Sequence, residues 1–226
     1  VSRNLEPKDG FLQGVRKLAT DNNIVLIFDE CTSGFRETFG GLHKKYGVEP
    51  DMAIFGKALG NGYAITGVIG TRGVMEAAQG TFISSTFWSE RIGPVAGLKT
   101  LEVMERDESW KQITKVGKQI AKRWDDLAKK NNLAIEINGL PSLISFNIPV
   151  DNWLKYKTLI TQEMLKNNYL ASNSVYVCTE HSDEIINEYF DLIEPVFITI
   201  SECENGRNVD DLLDGPVCHS GFKRLN

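Results

Sequence analysis

Two residues set chemistry-bearing groups where an α/β chain binds its ligands. Asp29 follows the apolar run Ile24-Val25-Leu26-Ile27-Phe28, and Lys57 follows Met52-Ala53-Ile54-Phe55 with one glycine between. An unbroken apolar run without alternation predicts a strand buried on both faces of a parallel sheet. Ligands of open α/β sheets bind in the crevice beyond the carboxyl ends of such strands. An acid and a primary amine delivered there can face one ligand. A lysine amine, unlike a guanidinium, can shed its proton and attack a carbonyl carbon. A buried carboxylate can hold a proton on a nearby basic nitrogen. Each residue also has a plainer reading, Asp29 as a turn former or helix cap and Lys57 as a solvated cation in a Gly-rich turn. The strand-end pattern alone leaves both readings open.

Several elements must position these groups. Phe11, Leu12, Val15, Leu18 and Ala19 fall at helical spacing and predict a helix over 9–21 with Asp9 as N-cap. Strands are predicted at Ile24–Phe28, Met52–Phe55 and Ala64–Ile69, the last following the Gly60-Asn61-Gly62 turn. The alternation reads as α/β. Helices are expected over 92–106 and 109–131, the second with a stripe from Trp110 to Leu127. Strand-like runs at 133–137 and 143–148 then alternate with helices near 152–167 and 183–193. Pro195 suits the first turn of a further helix, 195–205. Residues 1–107 thus read as an α/β unit, and residues 108–226 as a second, smaller α+β unit.

Composition narrows the function classes. The 226 residues carry a formal net charge of −5, which argues against a nucleic-acid footprint. The apolar runs are too short to cross a bilayer. The start, VSRNLEPKDGF, lacks the basic-then-apolar order of a signal peptide. Cys31, Cys178, Cys203 and Cys218 form no CxxC pair and read as reduced thiols of a cytoplasmic protein. His43, His181 and His219 are scattered, so no metal site is expected. His181 reads as a structural hydrogen-bonding residue in the turn before a helix. Gly60-Asn61-Gly62 lacks the spacing of a phosphate-binding fingerprint and reads as the turn that places Lys57.

The words around these residues resemble a known family. VLIFDECTSGFR, GVEPDMAIFGKALGNGYAITGVIG and STFWSERIGPVAGLKTLEVME, in that order, are similar to the C-terminal half of class III pyridoxal-phosphate (PLP) aminotransferases. YLASNSVYVCTEHSDEI resembles the glutamate-1-semialdehyde aminomutase branch, and the 28-residue separation of Asp29 and Lys57 fits it. The resemblance implies a fold-type I PLP-dependent transferase. This chain would hold part of its large domain, with a mostly parallel sheet, and its small C-terminal domain.

By the same resemblance, Lys57 is the catalytic Schiff-base lysine. It would bond the cofactor aldehyde and, once displaced by substrate, move a proton. Asp29 would keep the pyridine nitrogen protonated, so that the ring remains an electron sink. Glu30 should point elsewhere and hold the loop or a neighbouring side chain. Cys31 stands where relatives carry a small apolar residue packed on a ring face; a plain buried cysteine is an equal reading. Thr86, before a helix, would reach the phosphate of the neighbouring subunit's cofactor, which implies a homodimer. Trp88-Ser89-Glu90-Arg91-Ile92-Gly93-Pro94 departs from the family's Gly-Asn-Pro or Gly-His-Pro and bears on substrate preference.

The implied reaction is amino transfer between an amino acid and a carbonyl substrate, with no nucleic acid or membrane involved. The alternatives are an intramolecular aminomutase of the glutamate-1-semialdehyde type, or a fragment inactive in isolation. The family's main phosphate loop, the aromatic on the other ring face and the N-terminal gate lie upstream of the Asp strand. No such segment occurs here, and the chain does not begin with methionine, so a partial chain with a partial site is expected.

Overall fold

A computed structural model describes residues 6–87 and 89–221. Trp88 and the first five residues of the N-terminal stretch, read above from sequence, lie outside the described residues. The described residues divide into two compact units, Glu6–Thr114 and Lys115–Gly221.

The first unit opens with helix α1 (Phe11–Asp21). Its N-cap is Gly10, at φ 75°, with no side-chain cap, so Asp9 does not take the role expected of it. Strand β1 spans Ile27–Asp29 and the one-turn helix α2 spans His43–Tyr46. Strand β2 (Met52–Phe55) pairs parallel with β1, and β3 (Gly67–Gly70) pairs antiparallel with β2. The short helix α3 (Arg72–Glu76) follows. Helix α4 (Ile92–Asp107) ends at Glu108, whose φ of 47° turns the chain into α5 (Ser109–Lys130). The division between the units falls inside α5.

The doubly buried first strand is corrected. Strand β1 begins three residues later than predicted, and Ile24, Val25 and Ile27 are 55%, 47% and 49% exposed. Among the described residues β1 pairs with β2 alone, so its second edge has no strand beside it. Strand β2 runs as predicted, with Ala53 and Phe55 buried.

Asp51 fixes the register of the two parallel strands. Its carboxylate accepts the Leu26 backbone N–H at 2.8 Å and an Arg16 guanidinium N–H at 2.8 Å, while its own N–H donates to the Leu26 carbonyl at 2.9 Å. Asp29 then lies opposite Ile54. A cluster of Phe35, Phe39, Phe55 and Trp110, with ring centroids 5.3–6.0 Å apart, packs within this unit.

The second unit contains an antiparallel sheet of β4 (Glu136–Asn138), β5 (Leu143–Asn147) and, after helix α6 (Trp153–Lys166), β6 (Ser174–Tyr176). Its core gathers Trp124, Phe146, Tyr156, Ile160, Met164 and Phe197, each essentially inaccessible. Trp124 donates its indole N–H to the Tyr189 hydroxyl at 3.0 Å, which satisfies a buried polar group.

One predicted break is absent. Residues 183–204 form a single helix, α7 (Asp183–Glu204), with Pro195 inside it. Proline removes one intrahelical bond and ordinarily kinks or ends a helix. Here the buried stripe Ile186, Tyr189, Phe190, Ile193, Val196, Phe197 and Ile200 runs across the proline without interruption. Continuous burial of that face outweighs the lost bond. His181 accepts the Cys178 backbone N–H at 2.9 Å and Ser182 caps α7, so that turn is structural, as expected.

Candidate functional site

Strands β1 and β2 are parallel, so they deliver Asp29 and Lys57 at the same end of the sheet. Glu30 extends the pairing by donating its N–H to the Ile54 carbonyl at 2.8 Å. Lys57 opens a short 3-10 turn, Lys57–Leu59, and sits in the left-handed region at φ 43°. A non-glycine residue there is uncommon and needs its surroundings to hold it. They do: the Lys57 carbonyl accepts the N–H groups of Gly60 and Asn61 at 3.1 and 3.0 Å. Gly60 is required, because a Cβ there would stand 2.0 Å from the Tyr63 carbonyl oxygen. The turn at 60–62 thus places Lys57.

The Lys57 ammonium donates to the Thr32 hydroxyl at 2.8 Å. Asp29 accepts the Cys31 backbone N–H at 3.0 Å. Cys31 lies against Gly56, where a Cβ would be 3.3 Å from its sulfur and 3.4 Å from Thr66 Cγ2. Burial first, and the Asp29 carboxylate second, push the Cys31 thiol up, while Lys57 pulls the other way. A thiol so placed is a poor nucleophile at neutral pH. An open depression of about 590 Å³ adjoins the amine, lined by Lys57, Gly62, Tyr63, Ala64, Ile65 and Thr66.

Glu30 turns away from this mouth and is buried. One carboxylate oxygen accepts the His43 backbone N–H at 3.0 Å and lies 3.1 Å from His43 Nδ1; the other accepts the Ser33 hydroxyl. It therefore ties the turn after β1 to α2. The sequence reading anticipated that Glu30 would hold the loop, but not its partner, 13 residues away.

The structure thus brings Asp29, Cys31 and Lys57 to one strand-end cluster. Thr86 lies in an exposed turn before α4. Thr32 was missed from sequence. Its signal, a β-branched hydroxyl three residues past a strand-end acid, has no periodicity that points to Lys57, 25 residues on.

An acid and an amine at adjacent parallel strand ends belong to a fold shared with solved transaminases. The chain matches the FumI protein of Sphingopyxis sp. MTA144 in its PLP internal aldimine form, at a TM-score of 0.80 and 18% identity. That match covers 88% of this chain and 48% of the other. It also matches an omega-transaminase from Sphaerobacter thermophilus at a TM-score of 0.77 and 20% identity, covering 88% of this chain and 50% of the other. The fold is the α/β fold of fold-type I PLP-dependent transferases.

Sequence comparison narrows this further. The family model for aminotransferase class-III matches residues 4–199. A 3-aminobutyryl-CoA aminotransferase from Cloacimonas acidaminovorans is 35% identical over 184 residues, 79% of this chain and 44% of its own length. A glutamate-1-semialdehyde 2,1-aminomutase from Methanocaldococcus jannaschii is 31% identical over 208 residues, 84% of this chain and 49% of its own. The chain belongs to the class III aminotransferase family. It spans about half the length of the curated relatives it matches. Among the described residues no helix is long and apolar enough to cross a membrane.

Proposed function

We propose that the whole protein is a PLP-dependent aminotransferase acting between an amino acid and a carbonyl substrate, and that this chain supplies the Lys57 and Asp29 side of its site. The observation that carries the proposal is the parallel pairing of β1 and β2, which sets Asp29 opposite Ile54, three residues before Lys57. The donor set fits the cofactor: a primary amine, a strand-end carboxylate, and a glycine at 56 whose missing Cβ keeps Cys31 and Thr66 close beneath the strand end.

Bound pyridoxal phosphate supplies an aldehyde carbon for a primary amine and a ring that accepts electrons. Lys57 would hold the cofactor through its primary amine and would move a proton at the substrate α-carbon. Asp29 would hold a proton at the ring nitrogen. Cys31 packs beside it as a small polarisable side chain. Thr86 would reach the phosphate bound by a neighbouring subunit, and the working protein would then be a homodimer. The location proposed is the cytoplasm, on the reading of the four cysteines as reduced thiols.

The similarity to glutamate-1-semialdehyde aminomutases, 31% over 208 residues, favours a second reading, in which the amino group moves within one molecule. Turnover assays of the full-length protein separate the two. An aminotransferase needs a distinct amino donor such as glutamate, whereas an aminomutase turns over without one. Failure to load PLP at all, followed by visible absorbance, would remove both readings.

A further inference from the structure

We propose that Thr32 is the dock for the Lys57 amine: its hydroxyl holds the ammonium at 2.8 Å whenever that amine is not covalently engaged, and so sets the direction from which it acts. The inference rests on the reading of Lys57 as the reactive amine and adds a positioning residue to it.

A single hydrogen bond from a surface lysine to a hydroxyl ordinarily sets little, because both partners are mobile. Here neither backbone is free to wander. The turn that carries Thr32 is tied at successive residues. Asp29 accepts the Cys31 N–H at 3.0 Å, and the Thr32 carbonyl accepts the Arg36 guanidinium at 2.8 Å. Ser33 donates to the buried Glu30 carboxylate, and the Gly34 N–H donates to the Glu30 carbonyl at 2.8 Å. Gly34 seals the turn: a Cβ there would be 2.7 Å from the Phe55 ring and 2.8 Å from the Glu30 carbonyl oxygen.

The other partner is fixed independently. Lys57 keeps φ 43° with its carbonyl bonded to Gly60 and Asn61, so its side chain leaves the backbone in a set direction. A β-branched threonine also has few χ1 choices, which orients its hydroxyl better than a serine would. Two rigid mounts, one on each parallel strand end, therefore meet at the amine. A hydroxyl suits this task. It accepts from the ammonium without neutralising it, as a carboxylate would by locking it in an ion pair, and it can be left behind when the amine moves.

The test uses the full-length protein as wild type, Thr32→Val and Thr32→Ser. Each is stripped of cofactor and treated with formaldehyde and cyanoborohydride, and Lys57 methylation is read by peptide mapping against the exposed Lys99 as internal control. Steady-state kcat and KM of the PLP-loaded variants are measured in parallel. Loss of one such hydrogen bond corresponds to about threefold to tenfold. Thr32→Val should raise Lys57 methylation by that factor relative to Lys99. It should lower kcat by a similar factor with KM within about twofold, and Thr32→Ser should restore most of both. Lys57 methylation unchanged in Thr32→Val overturns the dock. Trapping of PLP on a lysine other than Lys57 in the wild type overturns the underlying reading and the dock together, and so is distinguishable from failure of the dock alone.

Discussion

Glu30 and His43 meet twice: a single carboxylate oxygen accepts the His43 backbone N–H at 3.0 Å and lies 3.1 Å from its Nδ1, with both side chains buried. The second carboxylate oxygen takes the Ser33 hydroxyl. Glu30 is thus the buried anchor of the turn that carries Cys31 and Thr32.

Glu30→Ala should therefore destabilise the protein by about 3 kcal/mol, since each buried polar group left without a partner costs about 1–3 kcal/mol. Glu30→Gln should cost less, because an amide oxygen can still accept from His43. Urea unfolding of the full-length protein checks the order; equal stability of Glu30→Ala and wild type would show the pair to be idle.

Much of this frame was legible in the sequence, and the reasons are local. Strand β2 is four apolar residues between Asp51 and Gly56, so its ends announce themselves. Helices α4 and α5 carry apolar residues at helical spacing and end close to their predicted bounds. The misses are those that depend on distant partners. The run Ile24–Phe28 looks buried on both faces, yet Ile24, Val25 and Ile27 are exposed and β1 has one neighbouring strand among the described residues. Pro195 looks like a helix start, yet the core of the second unit carries α7 straight through it. The Glu30–His43 and Thr32–Lys57 contacts join residues 13 and 25 positions apart, and no spacing rule reports such pairs.

Asp51 gives a pH dependence with a definite sign. The Leu26 backbone N–H first, and Arg16 second, hold its carboxyl below the usual carboxylate range. A carboxylate lowered on folding contributes stability that is complete above its unfolded value, about 3.9, and is lost as pH falls through the folded one. Asp51→Asn should then lower Tm by roughly 2–4 °C at pH 7, with the gap to wild type closing as pH drops below about 4. A gap of the same size at pH 7 and pH 3 would refute the assignment.

Asp29→Asn in the full-length protein should reduce kcat by about 10²–10³ while leaving PLP affinity within a few-fold. On the proposed reading an amide would not hold the ring nitrogen protonated, whereas the proposed phosphate contacts do not involve residue 29. Turnover near the wild-type rate would remove Asp29 from the mechanism.

Thr86 predicts a crossed site. Inactive Lys57→Ala and Thr86→Ala proteins, mixed and allowed to exchange subunits, should regain roughly one intact site per heterodimer. Heterodimers shown to form without recovered activity would confine Thr86 to its own subunit or to no role.

The most direct measurement is the position of the covalent link. The full-length protein loaded with PLP is reduced with borohydride, digested and mapped by mass spectrometry. A pyridoxyl group on Lys57, at the end of β2 beside the Asp29 strand, is the predicted result; a pyridoxyl group on any other lysine contradicts it.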